Sequence, residues 1–120
     1  MTSRTISVNF DDTEQKTVFT ATERCILKLV PTTKTTVAQN IDATFKLNST
    51  NIGKYYSSGG AFSNVNKGLA SLLSFSTASG TSDYHPSALI LYLEKGDTIY
   101  ATRTSGDAYT AKFYSAVFTF

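Results

Sequence analysis

The chain is poor in the residues that several kinds of protein chemistry require. Its 120 residues include one cysteine, one histidine, two prolines and no tryptophan. The single cysteine excludes a disulfide within the chain and leaves no partner for a cysteine-based metal cluster. Stability must therefore come from packing of side chains, either within the chain alone or also against other copies of it.

The side chains that could supply a nucleophile, a base or a metal ligand stand isolated in the sequence. His85 has no neighbours with the spacing of a nucleophile motif or a metal site. Cys25 begins the apolar run CILKLV and is interpreted as a small buried hydrophobe. Asp11, Asp12 and Glu14 lack the interleaved glycine of a calcium loop and are typical of a turn. We predict no catalytic, cofactor or metal site, and hence a protein that is not an enzyme.

The chain also has no large excess of positive or negative charge and no long apolar run. Eleven Lys and Arg residues against nine Asp and Glu residues give a formal net charge of +2, spread along the chain. This favours neither a nucleic-acid partner nor a membrane surface. No apolar run approaches the roughly 18 residues of a membrane span, and MTSRTISVNF has no apolar signal core. We expect a single domain, 1–120, synthesised in the cytoplasm.

The chain is rich in threonine and serine and contains seven tyrosines and eight phenylalanines. Threonine, tyrosine and phenylalanine favour strands. The clearest alternation joins Ile41, Ala43, Phe45 and Leu47, and the segment Leu69–Phe75 fits a strand slightly better than a helix. Further strands are expected around Ile6–Phe10, Lys16–Thr22, Cys25–Val30, Ile52–Tyr56, Ala88–Leu93, Thr98–Thr104 and Lys112–Phe120. The sequence therefore predicts an all-β fold, an antiparallel β-sandwich or jelly roll of about eight strands.

Several tyrosines lie in or near predicted loops. Tyr55, Tyr56 and Tyr84 could form a ligand platform there, because an amphipathic ring can stack on a sugar or anchor a protein interface. Tyr100 and Tyr109 lie near other loops. Tyrosine is equally an ordinary strand residue, so both interpretations stay open.

The closing strand has two apolar faces. One face carries Phe113 and Val117, and the other carries the four residues Tyr114, Ala116, Phe118 and Phe120. The run ALILYL, expected beside this strand, should be buried on both sides. One face can serve the core, so the second would leave a large apolar patch in water. Such patches usually mark interfaces, and the four residues are predicted to form a subunit interface.

Two stretches resemble known families. LYLEKGDTIYATRTSGDAYTAKFYSAVFTF resembles the closing strands of the trimeric jelly rolls of the complement and tumour necrosis factor type. TVFTATERCILKLV, with the alternating strand that follows it, resembles small β-sandwich domains of bacteriophage virion proteins. These resemblances imply a homotrimer on the outside of a virus particle. They transfer no catalytic residue.

The sequence also departs from these families, because no collagen-like or coiled-coil stalk precedes the domain. The departure favours a protein that docks directly on a capsid, decorating or cementing it by binding the major capsid protein or another virion protein. The alternative is a receptor-binding fibre tip or adhesin that recognises a glycan or protein on the host surface.

Overall fold

A computed structural model describes residues 1–66, 69 and 86–120 of the chain. In this part of the chain nine strands and one short 3-10 helix, Val37–Gln39, are present. The strands are β1 (Thr2–Asn9), β2 (Lys16–Thr20), β3 (Cys25–Pro31), β4 (Asp42–Leu47), β5 (Thr50–Tyr56), β6 (Ala61–Ser63), β7 (Leu89–Leu93), β8 (Thr98–Ser105) and β9 (Thr110–Thr119).

The strands form two sheets in which every pairing is antiparallel. The four-stranded sheet has the order β1-β9-β3-β7, and the five-stranded sheet has the order β2-β8-β4-β5-β6. The prediction of an all-β fold with two antiparallel sheets is confirmed. Strand β6 was not predicted, because its short run follows two glycines that suggested a flexible connection.

The apolar core lies between the two sheets. Its centre is a cluster of fully buried rings, Phe45, Tyr55 and Phe62 from the five-stranded sheet and Phe113 from the four-stranded sheet. The ring centroids of Tyr55 and Phe113 are 5.1 Å apart, and those of Phe45 and Phe62 are 5.4 Å apart. Both pairs meet edge to face, the arrangement that aromatic rings prefer. Contacts of this kind join the two sheets.

Strand β3, which contains the apolar run CILKLV, occupies the interior of the four-stranded sheet, between β9 and β7. The expectation that Ala88–Leu93 is buried on both sides is wrong. Leu89, Leu91 and Leu93 are fully buried against the core, whereas Tyr92 is 37% exposed. The reason is that this sheet covers the core with one face only. The predicted strand at 69–75 lies outside the described residues except for Leu69.

Candidate interaction surface

The outer face of the four-stranded sheet carries large apolar side chains from three neighbouring strands. Ile26 on β3 lies across from Phe118 on β9 and across from Tyr92 on β7. Lys28 lies across from Ile90 on β7. Ile26, Lys28, Ile90 and Phe118 line a shallow depression of about 400 Å³. We call Ile26, Ile90, Tyr92, Tyr114, Phe118 and Phe120 the apolar face.

The aromatic members of the apolar face are open to solvent. Tyr92, Tyr114, Phe118 and Phe120 are 37%, 39%, 44% and 71% exposed. Tyr92 and Phe120 contact each other with ring centroids 5.8 Å apart, and the guanidinium of Arg24 lies 5.5 Å from the Phe120 centroid. A contiguous group of exposed rings is unusual on a monomer and is typical of a surface that another molecule covers.

Positive side chains accompany the apolar face. Arg24, Lys28 and Lys112 are exposed there, and Lys112 shares the outward-facing side of β9 with Tyr114. Within the described part of the chain, none of these three cations forms an ion pair with a carboxylate. The face therefore presents apolar rings together with basic groups, and the exposed carboxylate of Glu94 also lies beside Tyr92.

One predicted interface residue needs correction. Tyr114 and Phe118 lie on the outer face as predicted, but Ala116 between them is only 3% exposed. Its cross-strand neighbours are Ser3 on β1 and Lys28 on β3. A single methyl group between longer side chains is already covered in the isolated chain. Ala116 therefore has almost no area to contribute to an interface.

The predicted tyrosine platform also needs correction. Tyr55 lies within β5, fully buried among the core rings, so it cannot stack on a ligand from solution. Tyr56 follows it on the opposite side of the strand and is half-buried. The Tyr56 ring packs closely over Gly59, where an added Cβ would lie 1.9 Å from it. Tyr84 lies outside the described residues. The structure thus does not bring Tyr55 and Tyr56 together at one surface.

Buried Cys25 is placed as predicted, within β3 and 1% exposed. Burial raises the pKa of its thiol, and the nearby charges of Glu23 and Asp97 raise it further. A neutral buried thiol is a poor nucleophile. In the described ranges, no three His, Cys, Asp or Glu side chains come together as a metal site would require. His85 lies outside these ranges.

Comparisons with known proteins add no family. No protein-family model matches the chain, and no curated protein matches it.

Among the helices of the described residues, none has the length and apolar character needed to cross a membrane.

Ile26 was not predicted to belong to the apolar face. The sequence pattern indicated β7 beside the closing strand, whereas β3 lies between them and carries the apolar surface across. A signal was present, since in CILKLV the residues Ile26 and Val30 alternate with buried Cys25, Leu27 and Leu29. That pattern shows a second apolar side on this strand as well.

Proposed function

We propose that this protein is a non-enzymatic structural protein of a bacteriophage particle, a homotrimer that decorates and stabilises the capsid. The observation that carries the proposal is the apolar face, with four exposed aromatic rings on one sheet surface. A surface of this kind favours assembly, because it offers exposed apolar and aromatic contact area.

The strand order supports a jelly roll within the sandwich class. Strands β1 to β4 alternate between the two sheets, and the last two strands, β8 and β9, insert beside β2 and β1 respectively. This returning path is that of two interlocked Greek keys, with β6 as an additional edge strand. The viral setting and the threefold symmetry rest on the sequence resemblance to phage sandwich domains and trimeric jelly rolls.

A threefold ring also suits the chemistry of the apolar face. Around a threefold axis each copy places one surface against a different surface of the next copy. The apolar face of one copy therefore contacts a different surface of the next copy. The lysines beside the face do not have to approach the same lysines of another copy. The major capsid protein or another virion protein would then bind a different side of the trimer.

The test is the mass of the protein in solution by light scattering coupled to size exclusion. We expect three times the 13.0 kDa of one chain at micromolar concentration. Tyr114→Asp should reduce the mass to that of one chain, because it places a charge in a buried interface. Tyr100→Asp is the matched control, since Tyr100 is half-buried on the five-stranded sheet. A wild-type mass of one chain would refute the trimer, and a mass of two chains would refute its symmetry.

Capsid binding tests the second half of the proposal. Purified phage capsids that lack the protein should bind the wild-type trimer and gain resistance to heat. If the protein assembles but binds no capsid, and instead binds host cells, the fibre-tip alternative replaces capsid decoration.

A further inference from the structure

A second surface feature lies away from the apolar face, at one end of the sandwich. It is a cavity of about 460 Å³ between the segment that follows β3 and the turn that joins β8 to β9. Its lining includes Lys34, Thr35, Thr36, Gln39, Asp107 and Tyr109. A cavity of this volume is in the range of small-ligand sites.

A buried polar network holds the first wall. Ser57 is fully buried, and its Oγ accepts a hydrogen bond of 2.8 Å from the Ile41 backbone N–H. The same oxygen lies 2.7 Å from Oγ1 of Thr35, whose backbone N–H donates to the Ser57 carbonyl at 3.1 Å. The Ser58 N–H donates to Oδ1 of Asn40 at 2.8 Å. The loop that carries the cavity residues is therefore tied to the turn after β5.

Close backbone packing holds the second wall. Gly106 has a φ of +89°, and a Cβ there would lie 2.5 Å from the Asn40 carbonyl oxygen, so only glycine fits. Arg103 donates to the Gly106 carbonyl and also to the carbonyls of Asp11 and Asp12, at 3.4 and 3.5 Å. The backbone of both walls is thus held in place, which favours binding because little ordering of the backbone is left to occur. The side chains of Lys34, Gln39 and Asp107 are exposed.

Tyr109 connects the cavity to the core. It lines the cavity and packs against the buried cluster, and its hydroxyl donates to Oγ1 of Thr33 at 2.8 Å. The buried hydroxyl of Tyr55 lies near Thr33 and Tyr109, but among the described residues no partner meets it with hydrogen-bond geometry. Unpaired buried polar groups are rare in proteins and call for an explanation. Here the unpaired hydroxyl lies directly behind a residue that lines the cavity.

The residues that line the cavity include hydrogen-bond donors and hydrogen-bond acceptors. Lys34 donates, Asp107 accepts, and the amide of Gln39 does both, as do the threonine hydroxyls. The two opposite charges leave the cavity with no formal net charge, which does not favour a strongly charged ligand. We propose that this cavity binds a neutral polyhydroxylated ligand, a sugar unit that is free or part of a glycan.

The experiment is an NMR titration of the full chain with methyl glycosides of glucose, galactose, mannose and N-acetylglucosamine. At least one glycoside should shift the amide signals of residues 34–39 and 107–109. Asp107→Asn and Lys34→Met should each weaken that binding at least tenfold. The matched controls are Glu14→Gln and Lys95→Met, which alter exposed side chains outside the cavity. They should bind as the wild type does, and melting curves should show that all four variants fold.

Two results would overturn the proposal. The first is the absence of any shift in the cavity signals with all four glycosides at millimolar concentration. The second is binding that Asp107→Asn and Lys34→Met leave unchanged, because the sugar would then bind elsewhere. A printed array of oligosaccharides distinguishes the two sources. Affinity tenfold above that of the matching methyl glycoside supports a glycan, and equal affinity supports a free sugar.

Discussion

Phe118 lies directly across from Ile26 on the outer face of the four-stranded sheet, and its ring remains 44% exposed in the isolated chain. The pair joins the central strand β3 to the closing strand β9. The exposed part of the Phe118 ring does not contribute to the core of the single chain. We therefore expect substitutions of Phe118 to affect association between chains.

Phe118→Asp should dissociate the assembly with little effect on the fold of one chain. Burying an aromatic ring contributes about 2 to 3 kcal/mol, and a charge at that position opposes burial further. Sedimentation equilibrium of the variant measures the change. Phe118→Leu is the control, because it keeps an apolar side chain and should retain the wild-type mass. An unchanged mass for Phe118→Asp would remove this residue from the interface.

Two tyrosine hydroxyls near the cavity should respond oppositely to removal. Tyr109→Phe should lower the free energy of unfolding by about 1 kcal/mol, because its hydroxyl donates to Thr33. Tyr55→Phe removes a buried hydroxyl that has no partner with hydrogen-bond geometry among the described residues, and it should leave stability unchanged or raise it by about 1 kcal/mol. Urea unfolding at pH 7 compares them. Equal losses in both variants would show that the Tyr55 hydroxyl is paired in solution.

Tyr55 should also make the protein sensitive to alkali. Burial and the neighbouring Tyr109 raise the pKa of Tyr55 above the ordinary 10.0. The folded state therefore favours the neutral phenol, and this part of the stability is present below about pH 10. It is lost as the pH rises above that value toward the folded-state pKa. Melting temperatures from pH 8 to pH 11 should fall less steeply for Tyr55→Phe than for the wild type. Parallel curves would contradict the assignment.

Ser57→Ala should destabilise the protein by about 1 to 3 kcal/mol. The substitution leaves the buried N–H of Ile41 without its acceptor and removes the hydroxyl contact with Thr35, whose backbone bond to Ser57 remains. Ser58→Ala is the matched control, since the bond from Ser58 to Asn40 uses its backbone N–H. The control should change the free energy of unfolding by less than about 0.5 kcal/mol. Thermal denaturation of both variants measures the difference.

Cys25 should report on opening of the sandwich. Its thiol is 1% exposed within β3, and burial raises its pKa, so iodoacetamide should reach it only when the strand opens. At pH 8 we expect alkylation at least about a hundredfold slower in the native state than in urea. Mass spectrometry at timed intervals measures the rate. Rapid labelling of native protein would show that β3 does not stay closed.

The sequence by itself predicted the strands of the described residues except β6, and it predicted which side chains share a strand face. Both depend on a local property, the alternation of successive side chains across an extended backbone. For this reason the alternation around Phe45 predicted a strand with a buried face, and the two apolar faces of the closing strand predicted the exposed Phe118. Composition likewise identified Cys25 as a buried hydrophobe.

Only the tertiary structure decided which apolar surfaces the chain covers itself. Tyr55 and Tyr56 follow each other in sequence, yet the sheet places the first in the core and the second on the other side. Strand β3 lies between β7 and β9, which the local sequence pattern predicted to be neighbours. The side chains around Ala116 cover its methyl group. The cavity near Tyr109 joins segments about 70 residues apart in sequence, as the bond from Tyr109 to Thr33 shows. Such contacts depend on strand order and register, which arise from the packing of the whole chain and leave no local periodicity in the sequence.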